Sequence, residues 1–304
     1  MKKILFSCVI LCLIAYSFFF PEIIVNAAKN GIQLWFNQIL PAILPFTFLS
    51  AVLVKSDFLR SFKGNANLIA CLLTLSCGFV FGFPIGTKLS ADFYKQNLLS
   101  QKQATVLSIA TNNFSPMYVC GFALPLLFAS NLYHTATYIL LYLTPLVIAS
   151  VYLLLDGNFN HNTIPKTSTF RLNISIVDAG IISGFESLIK ICGYIVLFSI
   201  ITEVLTNIFT YFLTHPSFIL MLTLGNLEIT NGVNLLSTSN VAANLKYIGA
   251  IQLLSFGGLS GIAQTGSILS DAGLSMHKYI IGKAALSLLL TLLSVIYVFF
   301  IRLF

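Results

Sequence analysis

Few side chains in this chain can do chemistry, and the sharpest of them is Glu228. It lies inside the break Gly225-Asn226-Leu227-Glu228-Ile229-Thr230-Asn231-Gly232, where an apolar run that should continue through a membrane stops. A carboxylate at the tip of a glycine-flanked break, with Asn226 and Thr230 beside it, can bind a cation or proton, or accept hydrogen bonds from a polar ligand. The same position also suits a structural role, as the cap of a half-helix or the partner of another buried group.

Three further breaks accompany it. Gly82-Phe83-Pro84-Ile85-Gly86-Thr87-Lys88 interrupts the first half of the chain in the corresponding place. Gly82, Pro84, Gly86, Gly225 and Gly232 read as hairpin-tip residues that permit tight turns. Thr111 to Pro116 carries Asn112, Asn113 and Ser115, and Gly257 to Gln264 carries Ser260 and Gln264. Such amides and hydroxyls both donate and accept, which suits a polar solute or the stitching of helices to one another. The candidate binding set is therefore Glu228, Asn112, Asn113, Ser115, Asn226, Thr230, Ser260 and Gln264.

Other reactive residue types point to no site. Glu186 and Lys190 share a helix face and are expected to neutralise each other. The four histidines fall in connections, and the six cysteines lie in apolar stretches, so neither a metal centre nor disulfides are expected. No Gly-x-Ser-x-Gly, His-Glu-x-x-His or Walker loop is present, so no enzyme and no cofactor is expected, with H+ or Na+ as conceivable coupling ions.

The elements that must position these residues are membrane helices. Charged residues make up 8% of the chain against 57% hydrophobic, far from the roughly 25% charge of soluble proteins. Apolar runs such as Ile4 to Phe20, Thr137 to Leu155 and Tyr279 to Ile301 have the length a bilayer demands and lack strict alternation, so the fold class is all-α polytopic. The net charge of +7 reads as topology signal in short connections and implies no nucleic acid.

In order, the chain reads as an N-terminal helix (1–26, a signal anchor with an alternative cleavage site at Val25-Asn26-Ala27), a first repeat (27–155), a cytoplasmic linker (156–174) and a second, inverted repeat (175–304). Each repeat is read as helix, re-entrant hairpin, broken helix and helix; the first of these runs from Gly31 and is kinked by Pro41 and Pro45. With a cytoplasmic N-terminus, this topology puts Lys2, Lys3, Lys55, Arg60, Lys63, Lys88, Lys95, Lys102, Lys166, Arg171, Lys278 and Lys283 on the cytoplasmic side, as the positive-inside rule expects.

Five ordered motifs carry a resemblance: Gly31…Leu34-Trp35…Leu40-Pro41-Ala42…Leu44-Pro45-Phe46; Gly82-Phe83-Pro84…Gly86…Lys88; Thr111-Asn112-Asn113…Ser115-Pro116; Gly225…Glu228…Thr230…Gly232; and Gly258-Leu259-Ser260…Ala263-Gln264. Together they resemble the YlbJ-type sporulation integral membrane proteins, within the Gate or nucleoside-recognition superfamily. The resemblance implies a bacterial cell membrane, forespore or mother-cell, a part in spore envelope or cortex formation, and a transporter-like fold. Two functions stay open. One is a secondary transporter or permease of a small polar solute. The other is a non-transporting assembly factor that binds sporulation membrane proteins or a second copy of itself in the bilayer.

Overall fold

A computed structural model of the chain describes residues 2–56, 65–129, 131–157, 173–212 and 217–301. Most of the expected linker, with Lys166, Arg171 and His161, lies outside the described residues, as do Arg60, Lys63 and His215. The described residues form helices, turns and irregular segments without a strand.

Helix α1 (Lys2–Phe19) is followed after a 110° bend by α2 (Pro21–Leu34). Sequence reading starts the second helix at Gly31, but it begins ten residues earlier, where Pro21 occupies the first turn beside Glu22. Proline needs no N–H partner there, and an acidic side chain favours the positive end of a helix. A π-helical turn (Trp35–Ile39) joins α2 to α3 (Leu40–Lys55). Among the described residues two more such turns occur, at Val119–Ala123 and Ile139–Leu143, and each of these three ends two residues before a proline: Pro41, Pro125 and Pro145. Proline offers no N–H to the carbonyl four residues back and collides with it, and a widened turn relieves both faults. The kink expected from Pro41 takes this form, whereas Pro45 sits inside α3.

The rest of the first half consists of α4 (Ala66–Phe81), α5 (Ile85–Lys95), α6 (Gln101–Thr111), α7 (Pro116–Tyr118), α8 (Leu124–Leu127), α9 (His134–Tyr138) and α10 (Thr144–Asp156). Asn65 caps α4, and Ser100 with Gln103 forms a capping box that starts α6. The second half has α11 (Ile174–Phe212), α12 (Phe218–Gly225), α13 (Ile229–Thr238), α14 (Ala243–Phe256), α15 (Gly258–Asp271) and α16 (Met276–Ile301). The break expected over Gly257 to Gln264 narrows to Gly257 and Gly258, whose φ values of +84° and +67° glycine alone adopts readily. Ser260 and Gln264 therefore stand on the helix that follows.

Segments His134–Asp156, Ile174–Phe209 and Met276–Phe300 are long and apolar enough to cross a membrane, and the bent pair Ile10–Phe19 and Pro21–Asn37 makes a fourth candidate. Exposed side chains such as Leu288, Leu292 and Phe299 suit lipid rather than water. The chain is a multi-pass membrane protein.

Contacts between helices repeat when the halves are exchanged. Taking α2–α3 with α11, α4 with α12, α5 with α13, α6 with α14, α7–α8 with α15 and α9–α10 with α16, most pairings have a counterpart. Helix α4 packs on α5 and α6 as α12 packs on α13 and α14. Helix α6 touches α10 and α16, while α14 touches α16 and the π turn Ile139–Leu143. Across the halves, α5 meets α15, and α13 meets α8.

Both hairpins close on glycine. A β-carbon on Gly86 would overlap the Thr111 side chain, and one on Gly225 would stand 2.8 Å from the Gly232 Cα. Gly193, in the middle of α11, has nothing within 4 Å of that position. Gly86→Ala is therefore expected to cost about 1–3 kcal/mol through overpacking, and Gly193→Ala to be neutral or stabilising by up to ~1 kcal/mol. Unfolding titrations of the two purified variants against the parent check this ordering.

Candidate functional site

Each hairpin tip is stitched to a helix break by the backbone. At the first tip Gly82 has φ +72°, a β-carbon there would overlap the Ser115 backbone, and the Phe83 N–H donates to the Asn113 carbonyl at 2.7 Å. At the second, the Leu259 N–H donates to the Asn226 carbonyl at 2.7 Å and the Ser260 N–H to the Leu227 carbonyl at 3.0 Å. Groups left without helical partners at one break are thereby satisfied by the neighbouring tip, as a water-poor environment requires.

The breaks also hold two opposite charges. Asn112 terminates α6, and its carbonyl accepts from the Lys283 ammonium at 2.6 Å; the Asn113 Oδ1 accepts from the same ammonium at 2.8 Å. Lys283 is fully buried. Its expected cytoplasmic place is thus wrong: Lys283 lies on α16 facing the first break, where a helix C-terminus supplies acceptors for a cation. The signal was present, since the apolar run drawn from Tyr279 to Ile301 already contains this lysine. Glu228 is 5% exposed and starts α13, where its Oε2 accepts the Asn231 N–H at 2.8 Å. Carboxylate and ammonium each meet the matching end of a half-helix, and among the described residues neither has an ion-pair partner.

Capping is only part of what Glu228 does. With Thr230, Ser115, Ser260 and Gln264 it lines a cavity of about 670 Å³ between the second tip, both broken helices and the α2–α3 junction. Five of the eight candidate residues are brought together there. Asn112 instead donates to the Thr265 hydroxyl at 2.9 Å and to the Tyr279 hydroxyl, tying α6 to α15 and α16. Asn113 donates to the Leu141 carbonyl at 3.1 Å, the acceptor that Pro145 leaves without its usual N–H. Asn226 forms a reciprocal amide pair with Gln252, at 3.0 and 3.2 Å. These three hold the breaks together rather than face the cavity.

Tyr118 was not anticipated: it lines the cavity, and its hydroxyl lies 3.2 Å from that of Thr230. Of the tip residues, Gly82, Gly86, Gly225 and Gly232 provide turns and close packing, while Pro84 borders a second cavity of about 300 Å³. Lys88, Asp92, Glu186, Lys190 and Asp271 surround this second cavity, and Gln264 and Ile191 line both spaces. Lys190 meets Asp271 at 3.8 Å, so the expected neutralisation within α11 by Glu186 gives way to a contact with α15. Among the described residues no group of three His, Cys, Asp or Glu could hold a metal ion.

Lys283→Met is expected to destabilise the fold by about 2–4 kcal/mol, because two buried acceptors lose their charged donor. Lys278→Met, at an exposed position one turn or so earlier on α16, should stay within about 0.5 kcal/mol of the parent. Unfolding of the two purified variants measures the difference.

No protein-family model matches the chain, and no solved structure matches it. Among curated proteins, the chain is similar to the sporulation integral membrane protein YlbJ of Bacillus subtilis (strain 168), with 25% identity over 312 residues, covering 86% of this chain and 74% of that protein. This similarity bears out the resemblance to the YlbJ-type sporulation integral membrane proteins that the five ordered motifs carry.

Proposed function

We propose that the chain is a secondary transporter or permease acting in the membranes of a sporulating bacterium, built from two inverted repeats whose re-entrant hairpin tips meet near mid-bilayer. The observation that carries this reading is the cavity of about 670 Å³, with the buried Glu228 on its wall and a helix break on either side. Buried carboxylates in membranes are costly to keep, and discontinuous helices are a recurrent way of exposing polar groups to a solute. Support for the repeat comes from the contacts that recur when the halves are exchanged. A relationship to Gate-type carriers is part of the same proposal.

Gln264 links the cavity to the charged space around Lys88, Asp92 and Asp271. In the proposed topology that space opens to the cytoplasm, and the two together form a route from an aqueous rim to Glu228. Alternation of access would then require the tips to part from the breaks they are stitched to.

Purified protein reconstituted in liposomes and screened for solute uptake tests the proposal. Glu228→Gln is expected to lower the initial rate for the accepted solute by at least roughly tenfold, which corresponds to losing about 1.4 kcal/mol. Gly261→Leu should do the same by occupying the cavity, since a β-carbon there meets nothing within 4 Å. Full uptake by both variants would remove the assigned site. A stoichiometric membrane partner captured equally by parent and Glu228→Gln, with no uptake, would favour the assembly reading.

A further inference from the structure

We infer that the occupant of the large cavity is an amphipathic monocation, an ammonium group on an apolar body, which enters sideways from the bilayer. This deepens the transporter reading and rests on it for the role of the cavity, though binding and transport can fail separately.

Three independent features point to this class. The first is a pair of buried acceptors on the cavity wall, the Glu228 carboxylate and the Gln264 carbonyl. Glu228 has no cationic partner among the described residues, and the Gln264 Oε1 is buried without a hydrogen-bond partner, its Nε2 being committed to the Ser260 hydroxyl at 3.0 Å. A ligand that satisfies both must donate, and an ammonium does so while neutralising the carboxylate.

The second is an aromatic ladder. Phe114 and Tyr118 stack with centroids 4.7 Å apart, and Tyr118 and Phe122 follow at 5.2 Å. All three rings line the cavity. Faces of such rings attract cations, and more strongly where the contact is desolvated. Lys283, the buried cation nearest in kind, is already held by the Asn112 carbonyl and Asn113 side chain.

The third is the opening. Pro41 and Pro45 on α3, and Met117 and Gly121 beyond the first break, line the cavity yet are exposed at the protein surface. Pro41 and Pro45 follow the π turn that continues α2, and Met117 and Gly121 lie on the helical run from Pro116 to Leu127; in the proposed topology this mouth meets hydrocarbon and not water. An apolar tail emerging there stays in lipid while its head reaches Glu228. A fully polar solute would have no reason to use such a mouth.

The test compares three probes of equal chain length, decylammonium, decanol and decanoate, by thermal unfolding of the full chain in phosphatidylglycerol nanodiscs. Decylammonium is expected to raise the unfolding midpoint saturably, and the other two are not. Glu228→Gln should weaken the decylammonium effect at least tenfold in half-saturating concentration. Gly261→Leu, which has room for its side chain, should abolish the effect while remaining folded. Equal stabilisation by all three probes, or an unaltered response in Glu228→Gln, overturns the inference. Repeating the titration with phosphatidylethanolamine in the discs identifies the source: competition with decylammonium assigns the ammonium to a lipid headgroup, and its absence assigns it to a free amine. Uptake of an anionic or uncharged polar solute, with charge-blind binding of the probes, would leave the transporter reading standing and remove this one.

Discussion

Two unlike charges buried in apolar surroundings set the terms for the rest of this structure. An isolated ion costs several kcal/mol to desolvate even after relaxation, and neither Glu228 nor Lys283 has an ion-pair partner among the described residues. Each instead meets the end of a half-helix of opposite sign, Glu228 at the start of α13 and Lys283 at the end of α6. Half-helix ends exist in a membrane only where a helix is interrupted. The breaks, the glycines that permit them and the hairpin tips that satisfy their backbone groups are consequently parts of one arrangement.

Prolines contribute a second layer of the same logic. Each of the three π-helical turns precedes a proline, and the Leu141 carbonyl that Pro145 cannot serve is taken by Asn113. Asn113 also accepts from Lys283. One asparagine thus joins a proline-widened turn on one helix to a buried lysine on another. Asn112 and Asn226 act comparably, through Thr265 and Gln252. With these amides committed to structure, the cavity is left with Glu228, Gln264, the exposed amide of Asn37 and hydroxyl groups as its polar content, and with aromatic and aliphatic walls.

Much of the helix order was legible in the sequence because membrane helices are specified by composition and interrupted by few residue types. Gly82, Gly225 and Gly257 marked turns that the structure contains, at positive φ for the first and third. The eight polar candidates were less evenly informative. Amide side chains at a break serve a ligand or the break itself with the same chemistry, and only packing separates Gln264, on the cavity, from Asn226, paired with Gln252. Lys283 was misplaced because charge counting assigns lysines near a helix end to the nearest aqueous side, whereas this one has acceptors within the protein. Tyr118 carried no sequence signal beyond its helical spacing from Phe114 and Phe122.

The central claim, that the two breaks and their tips meet at mid-depth in the bilayer, is tested most directly by spin-label depth measurements. Single labels would be placed at Gly121, beside the first break, at Leu259, beside the second, and at Leu155, near the end of α10, after replacement of the six native cysteines. All three positions are exposed, so the labels report their surroundings without repacking a core. The arrangement predicts high collision rates with oxygen and low rates with a water-soluble nickel complex at 121 and 259, relative to 155. Nickel access at either break equal to that at 155 would contradict it.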